Sequence, residues 1–162
     1  MIYALDTNVF IEAARRYYAF DLAPGFWDAL NDLVSAQRIC SIDRVDAEIR
    51  EDSVREWIDN GGFANGFAST DSVEVALMFG QVMTWVNQQV QFTNAAKAEF
   101  ASGADGWLIA YSKLHNLSLV THEVLRLDVK RKVPIPNVCQ AFSVPYVDTF
   151  DMLRALSISL RR

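Results

Sequence analysis

Ile2-Tyr3-Ala4-Leu5-Asp6-Thr7-Asn8-Val9-Phe10-Ile11 is the stretch on which the fold turns. A short apolar run ends at an acid, two further helix-capping residues follow, and a new apolar pattern begins. This order predicts a buried strand ending at Leu5, a cap at Asp6-Thr7-Asn8 and a helix over Val9 to Arg16. It leaves the Asp6 carboxylate at the carboxyl end of a strand, the edge where open parallel α/β sheets place their sites.

The pattern recurs downstream. Tyr17 to Phe26 holds Pro24-Gly25 and reads as a loop, with Pro24 suited to a first helical turn. Phe26, Trp27, Leu30, Leu33 and Val34 then keep helical spacing to about Gln37. Arg38 to Ile42 reads as a second strand, so the two strands pair in parallel through a right-handed crossover. Val45, Ile49, Val54, Trp57 and Ile58 predict helix through about Asp59, broken by Gly61-Gly62. Phe63 to Ser69 is small and irregular, and Asp71 to about Val90 is a long helix apolar on more than one face, which implies burial or a partner.

Asn94 to Phe100 and Trp107 to Leu114 read as helices, and Leu117 to Thr121 as a third strand. Prolines hold Lys132 to Pro136 extended. Asn137 to Phe142 is a short helix, Val144 to Val147 an edge strand, and Asp148 to Leu156 a closing helix. Without a repeat, linker or low-complexity tract, residues 1–162 make one α/β domain, a short central parallel sheet flanked by helices.

The 51% apolar content belongs to a well-packed globular chain. No run approaches the roughly 20 apolar residues of a membrane span, and a cytoplasmic protein is expected. Cys40 and Cys139 offer neither a disulfide framework nor a metal pair and read as buried thiols. A net charge of −5 means that any nucleic-acid surface must be local. Arg126, Lys130, Arg131 and Lys132 form the candidate, with Asp128 the acid among them; the alternative is a solvated face.

Four acids end apolar runs or border helices: Asp6, Glu48, Asp105 and Glu123. Each has a plain structural explanation as well. Asp6 and Asp105 suit helix caps and Glu48 an exposed helical face, with Asp43, Asp46, Glu51 and Asp52 as neighbouring competitors. Brought together, however, carboxylates repel and require a positive charge, which a hard divalent cation supplies through oxygen ligands. Asn8 is placed to orient Asp6, and Thr121 and His122 to hydrogen-bond a carboxylate or water beside Glu123.

Together these segments resemble the PIN-domain nucleases, the fold of VapC-type toxins. Asp6 to Ile11 resembles the family's first-strand motif. Ser41-Ile42 through Glu48-Ile49, Asp105 with Leu108-Ile109-Ala110, and Leu119 to Glu123 resemble the other three segments, so that residues 2 to about 150 are covered. The long opening from Tyr17-Tyr18 to Phe26-Trp27 marks a divergent subfamily. One departure concerns the last motif, where His122-Glu123 stands for the usual Asn then Asp; Asp128 is the other candidate for the fourth acid.

The resemblance implies a Mg²⁺- or Mn²⁺-dependent ribonuclease in which Asp6 and Asp105 hold the metal. Glu48 and Glu123 would bind a second metal or position water. It further implies a toxin that is commonly a homodimer and is silenced by an antitoxin protein. Tyr17, Tyr18, Phe26 and Trp27 are candidates for that interface, with core packing the alternative. Two rival readings remain: a PIN-like binding module without turnover, and a phosphohydrolase with Asp6 as nucleophile, for which Asn8 stands where a second Asp is needed.

Overall fold

A computed structural model describes residues 2–160, so Met1, Arg161 and Arg162 of the expected domain lie outside the described residues. β1 (Tyr3–Leu5) occupies the centre of a five-stranded sheet. It pairs in parallel with β2 (Ile39–Ile42) on one side, Tyr3 opposite Ile39, and with β4 (Ser118–Val120) on the other, Leu5 opposite Val120. β3 (Phe67–Ala68) and β5 (Tyr146–Val147) add parallel edges, giving the order β3-β2-β1-β4-β5. All residues of β1 and β4 are buried, because helices cover both faces of the sheet.

The opening helix starts earlier and ends differently than expected. α1 spans Thr7–Glu12 and widens into a π turn over Ala13–Tyr17, which the Tyr18 N–H closes on the Ala13 carbonyl at 2.8 Å. α2 (Pro24–Ser35) has Pro24 in its first turn, as expected. The helix expected from Val45 through Asp59 is two: α3 (Asp43–Glu48) and α4 (Asp52–Asn60). Glu51 breaks the run, its side chain accepting the Ser53 and Val54 N–H groups at 3.4 and 2.9 Å as a cap for α4. β3 corrects the irregular reading of 63–69; a 3-10 turn over Gly62–Gly66 delivers two residues to the edge of β2.

α5 (Val73–Gln88) packs chiefly on α7 (Asp105–His115), and the Phe79 and Trp107 rings stack at 3.9 Å between them. Val75, Val82 and Val86 form its buried stripe, while Val73 and Leu77 stay exposed. α6 (Asn94–Ser102) precedes α7, and α8 (Ile135–Phe142) and α9 (Thr149–Ala155) complete the layers. The expected edge strand and closing helix are therefore present.

The aromatic opening belongs to the core. Phe26 and Trp27 are buried, the Tyr18 ring stacks on Phe26 at 4.3 Å, and the Trp27 indole N–H donates to the Tyr18 carbonyl at 2.7 Å. Burying such rings stabilises by roughly 1.5–3 kcal/mol each, and Phe26 and Trp27 offer no interface; only Tyr17 of the four is exposed. Both cysteines are free, Cys139 buried and Cys40 half-buried. Burial pushes their thiols up to about 12 and about 11, so neither is reactive near neutral pH. Among the described residues no helix is long and apolar enough to cross a membrane.

Candidate active site

Strand order reverses at β1, with β2 and β3 to one side and β4 and β5 to the other. Chains leaving the carboxyl ends of β1 and β4 therefore diverge and open a crevice. Asp6 stands there, 1% exposed, its N–H pairing with the Val120 carbonyl at 3.0 Å. It occupies the cap position of α1 yet makes no side-chain capping bond, which removes the cap explanation. The Thr121 hydroxyl instead donates to its Oδ2 at 3.1 Å, while accepting the Glu123 N–H at 3.1 Å.

Asp105 faces the same cleft from the first turn of α7. The cap position there is Ala104, so Asp105 is not the cap, although its negative charge suits the helix N-terminus. Glu48 ends α3 with both oxygens engaged: Thr7 Oγ1 donates to one and the Ala104 N–H to the other, each at 2.8 Å. These bonds tie the starts of α1 and α7 to the end of α3. The competing acids serve elsewhere. Asp43 accepts from Thr70, Asp46 pairs with Arg55, Glu51 caps α4, and Asp52 is exposed in the first turn of α4.

The cleft, about 410 Å³, is lined by Asp6, Glu48 and Asp105 together with Asn8, Glu99 and Lys132. Glu123 borders it indirectly, accepting the Ile135 N–H at 3.2 Å and pairing with Lys132 Nζ at 3.3 Å. The crowding of charge is visible in the acids themselves. Burial, then the charges of Asp105 and Glu123, hold the Asp6 carboxyl well above the usual carboxylate range, against the Thr121 bond. Burial, then Glu123 and Glu48, push Asp105 up to about 7, with Lys132 opposing.

Among the described residues, no three Asp, Glu, His or Cys side chains converge closely enough to clasp an ion as they stand. The bonds account for this, since Glu48 and Glu123 are each satisfied by protein donors. The donor chemistry nevertheless fits a hard divalent cation. The donors are all oxygen, and Asp6 and Asp105 repel each other with little positive charge to relieve them. The cleft also has room for an ion that keeps several waters.

A family model matches residues 3–160. The chain belongs to DUF4411, described as a domain of unknown function. No curated protein matches this DUF4411 chain in sequence. Among solved structures it is similar to VapBC2 from Rickettsia felis bound to a DNA fragment from their promoter, with TM-score 0.54 and 16% identity over 91% of this chain and 98% of that one. FitAcB from Neisseria gonorrhoeae is similar at TM-score 0.53 and 17% identity, covering 90% and 96%. FitAB bound to an IR36 DNA fragment gives 0.54 and 16%, covering 91% and 94%. These likenesses lie in the fold, and it is the PIN-like fold that the four sequence segments resemble.

In the DUF4411 chain the fold brings Asp6, Glu48 and Asp105 to one cleft and sets Glu123 behind Lys132. Asp128 is exposed and lies outside the cleft, so Glu123 is the acid placed against the pair. Asn8 is exposed at the cleft wall and makes no bond to Asp6; Thr121 orients it, being fixed between β4 and Glu123. Of the basic cluster only Lys132 lines the cleft, while Arg126, Lys130 and Arg131 point their charge to solvent elsewhere. His122 packs its ring at a tilt against Tyr17, centroids 5.4 Å apart, and is bonded to Thr149 at 2.9 Å. Glu99, on α6, joins the cleft and raises Asp105 further, a contribution carried by no signal in the sequence. Thr7 likewise anchors Glu48 rather than serving only as a cap residue.

Proposed function

We propose that the protein is a Mg²⁺- or Mn²⁺-dependent ribonuclease and the toxin of a toxin–antitoxin pair. The observation that carries this reading is the Asp6–Asp105 pair, two enclosed and mutually repelling carboxylates at the reversal of strand order. Asp6 and Asp105 would hold the metal, with Glu48 and Glu123 completing the acid set. When bound, the metal lowers the pKa of water and offsets charge on the phosphate under attack.

The chain's own groups define the rest. Thr121 fixes the Asp6 carboxylate through Oδ2, and Asp6 lines the cleft. Thr7 Oγ1 and the Ala104 N–H hold the Glu48 side chain at the cleft wall. Lys132 balances Glu123 and lowers the repulsion on Asp105, and its ammonium is the cleft's own cation for a phosphate. Oxygen ligands and one lysine suit phosphodiester hydrolysis better than nucleophilic attack by Asp6, whose oxygen is buried.

The VapBC2 and FitAB complexes among the similar structures support a partner antitoxin, and a homodimer is what the resemblance to VapC-type toxins implies. A binding module without turnover is favoured by one observation, the engagement of Glu123 by Lys132 and the Ile135 N–H. Labelled RNA incubated with Mn²⁺ or Mg²⁺ separates the two. Wild type is expected to cleave, and Asp6→Asn and Asp105→Asn to lose cleavage; wild type inert with either metal, or variants as active as wild type, defeats the ribonuclease reading. Induced expression should arrest growth, with Asp6→Asn relieving the arrest.

A further inference from the structure

Beyond Glu48 the acid cleft continues into a second groove of about 420 Å³. Its walls share Glu48, Ser102 and Gly103 with the cleft and add Arg44 and Arg50. Gly103 lines both, and a Cβ there would sit 3.4 Å from Glu48 Oε1 and 3.6 Å from the Glu99 carbonyl. Two cations thus stand on the Glu48 side of the cleft, while Lys132 stands on the Glu123 side.

Arg44 is set in place before any ligand arrives. Its Nε donates to Thr70 Oγ1 at 3.1 Å, and Thr70 is itself held by the Asp43 carboxylate at 2.8 and 3.1 Å. The guanidinium lies 3.8 Å over the Trp107 ring, which stacks on Phe79. Among the described residues its Nη groups have no hydrogen-bond partner, and Arg50 is exposed and forms no ion pair. A planar fork held by stacking loses little freedom on gripping an oxyanion, and it matches phosphate with two parallel donors. A chain of net charge −5 has few such places.

We infer that Arg44 and Arg50 form a phosphate subsite that holds the backbone of the RNA strand as it passes the Glu48 side of the acid cleft. The inference rests on the ribonuclease reading for the identity of the strand. Acids around the cleft repel a polyanion, so cations on both sides are needed to carry it across, and the basic cluster read from the sequence supplies only Lys132. Arg44 fixes one phosphate by its fork; Arg50, free at the surface, bonds a second.

Fluorescence anisotropy with a short fluorescein-labelled single-stranded RNA, in EDTA and across a salt series, tests this without turnover. Arg50→Gln, which removes no intramolecular bond, is expected to weaken binding about tenfold, the loss of one charge-assisted bond to phosphate. The slope of log affinity against log salt should fall by about 0.7, one phosphate contact on a single strand. Arg44→Lys should weaken binding with the slope retained, its melting temperature checking that the fold survives; Arg38→Gln, exposed at the amino edge of β2, should leave binding unchanged. Wild-type affinity in both Arg50→Gln and Arg44→Lys overturns the subsite while cleavage by wild type leaves the ribonuclease reading intact. Wild type that binds no RNA overturns the subsite together with the substrate assignment. Arginine-dependent binding without metal-dependent cleavage supports the subsite and defeats the nuclease.

Discussion

Replacing Asp105 by Asn should make the metal-free protein more stable, and more so the higher the pH. Asp105 is pushed up to about 7 by burial and by Glu123 and Glu48, whereas an unfolded chain returns it to about 4. A carboxyl whose folded pKa is raised contributes stability that is complete below the unfolded value and lost as pH climbs through the folded one. The loss therefore accumulates between about pH 4 and 7 and amounts to roughly 4 kcal/mol, three units at about 1.4 kcal/mol each. For a domain of this size that is on the order of 10 °C in melting temperature. Thermal unfolding followed by circular dichroism in EDTA, at pH 4 to 8, reads it directly. Wild type should lose stability steeply across that range and Asp105→Asn much less, the residual slope belonging to Asp6. Mn²⁺ added at pH 8 should raise the wild-type melting temperature and barely move the variant. Parallel curves for the two proteins in EDTA would refute the account of a strained acid pair.

Thr121→Val removes the hydroxyl that orients Asp6; Mn²⁺ affinity by calorimetry should fall about 10–100-fold, with the fold retained. Lys132→Met removes the charge that holds Asp105 down, so the midpoint of the wild-type loss of stability in EDTA should move to higher pH. Gly106→Ala places a Cβ 2.9 Å from Phe79 and 3.0 Å from Phe100, both ring carbons. Overpacking of this kind should cost about 1–3 kcal/mol in urea unfolding.

Which features were legible in the sequence follows from how local their causes are. β1, β2 and β4 are short apolar runs bounded by polar residues, and the acids at or near their ends mark one sheet edge once the strands pair in parallel. β3 is two residues in a glycine-rich segment and owes its strand state to β2 alongside it. The break between α3 and α4 hides because Val45, Ile49, Val54 and Ile58 keep helical spacing across it; the capping carboxylate of Glu51 overrides the pattern. Phe26 and Trp27 carry the same composition whether they face a partner or a core, and only packing distinguishes the two. Asp6 and Asp105 were readable from position, and Thr121 was readable as a hydrogen-bonding residue, but not which acid it serves. Thr121, rather than Asn8, orients Asp6, and Glu99 reaches the cleft from α6, both through tertiary geometry. Glu123 lies beside Lys132 at the cleft, whereas Asp128 is exposed and outside the cleft lining, a difference set by the chain's path after β4.

Asp6 and Asp105 are proposed to form a divalent-metal site, and anomalous scattering from a wild-type crystal soaked in Mn²⁺ tests it most directly. One strong peak bonded to carboxylate oxygens of both residues is expected, with Glu48 bounding the same cleft and the peak absent from Asp105→Asn. Saturating Mn²⁺ that leaves both carboxylates without a peak, or binds only elsewhere, would contradict it.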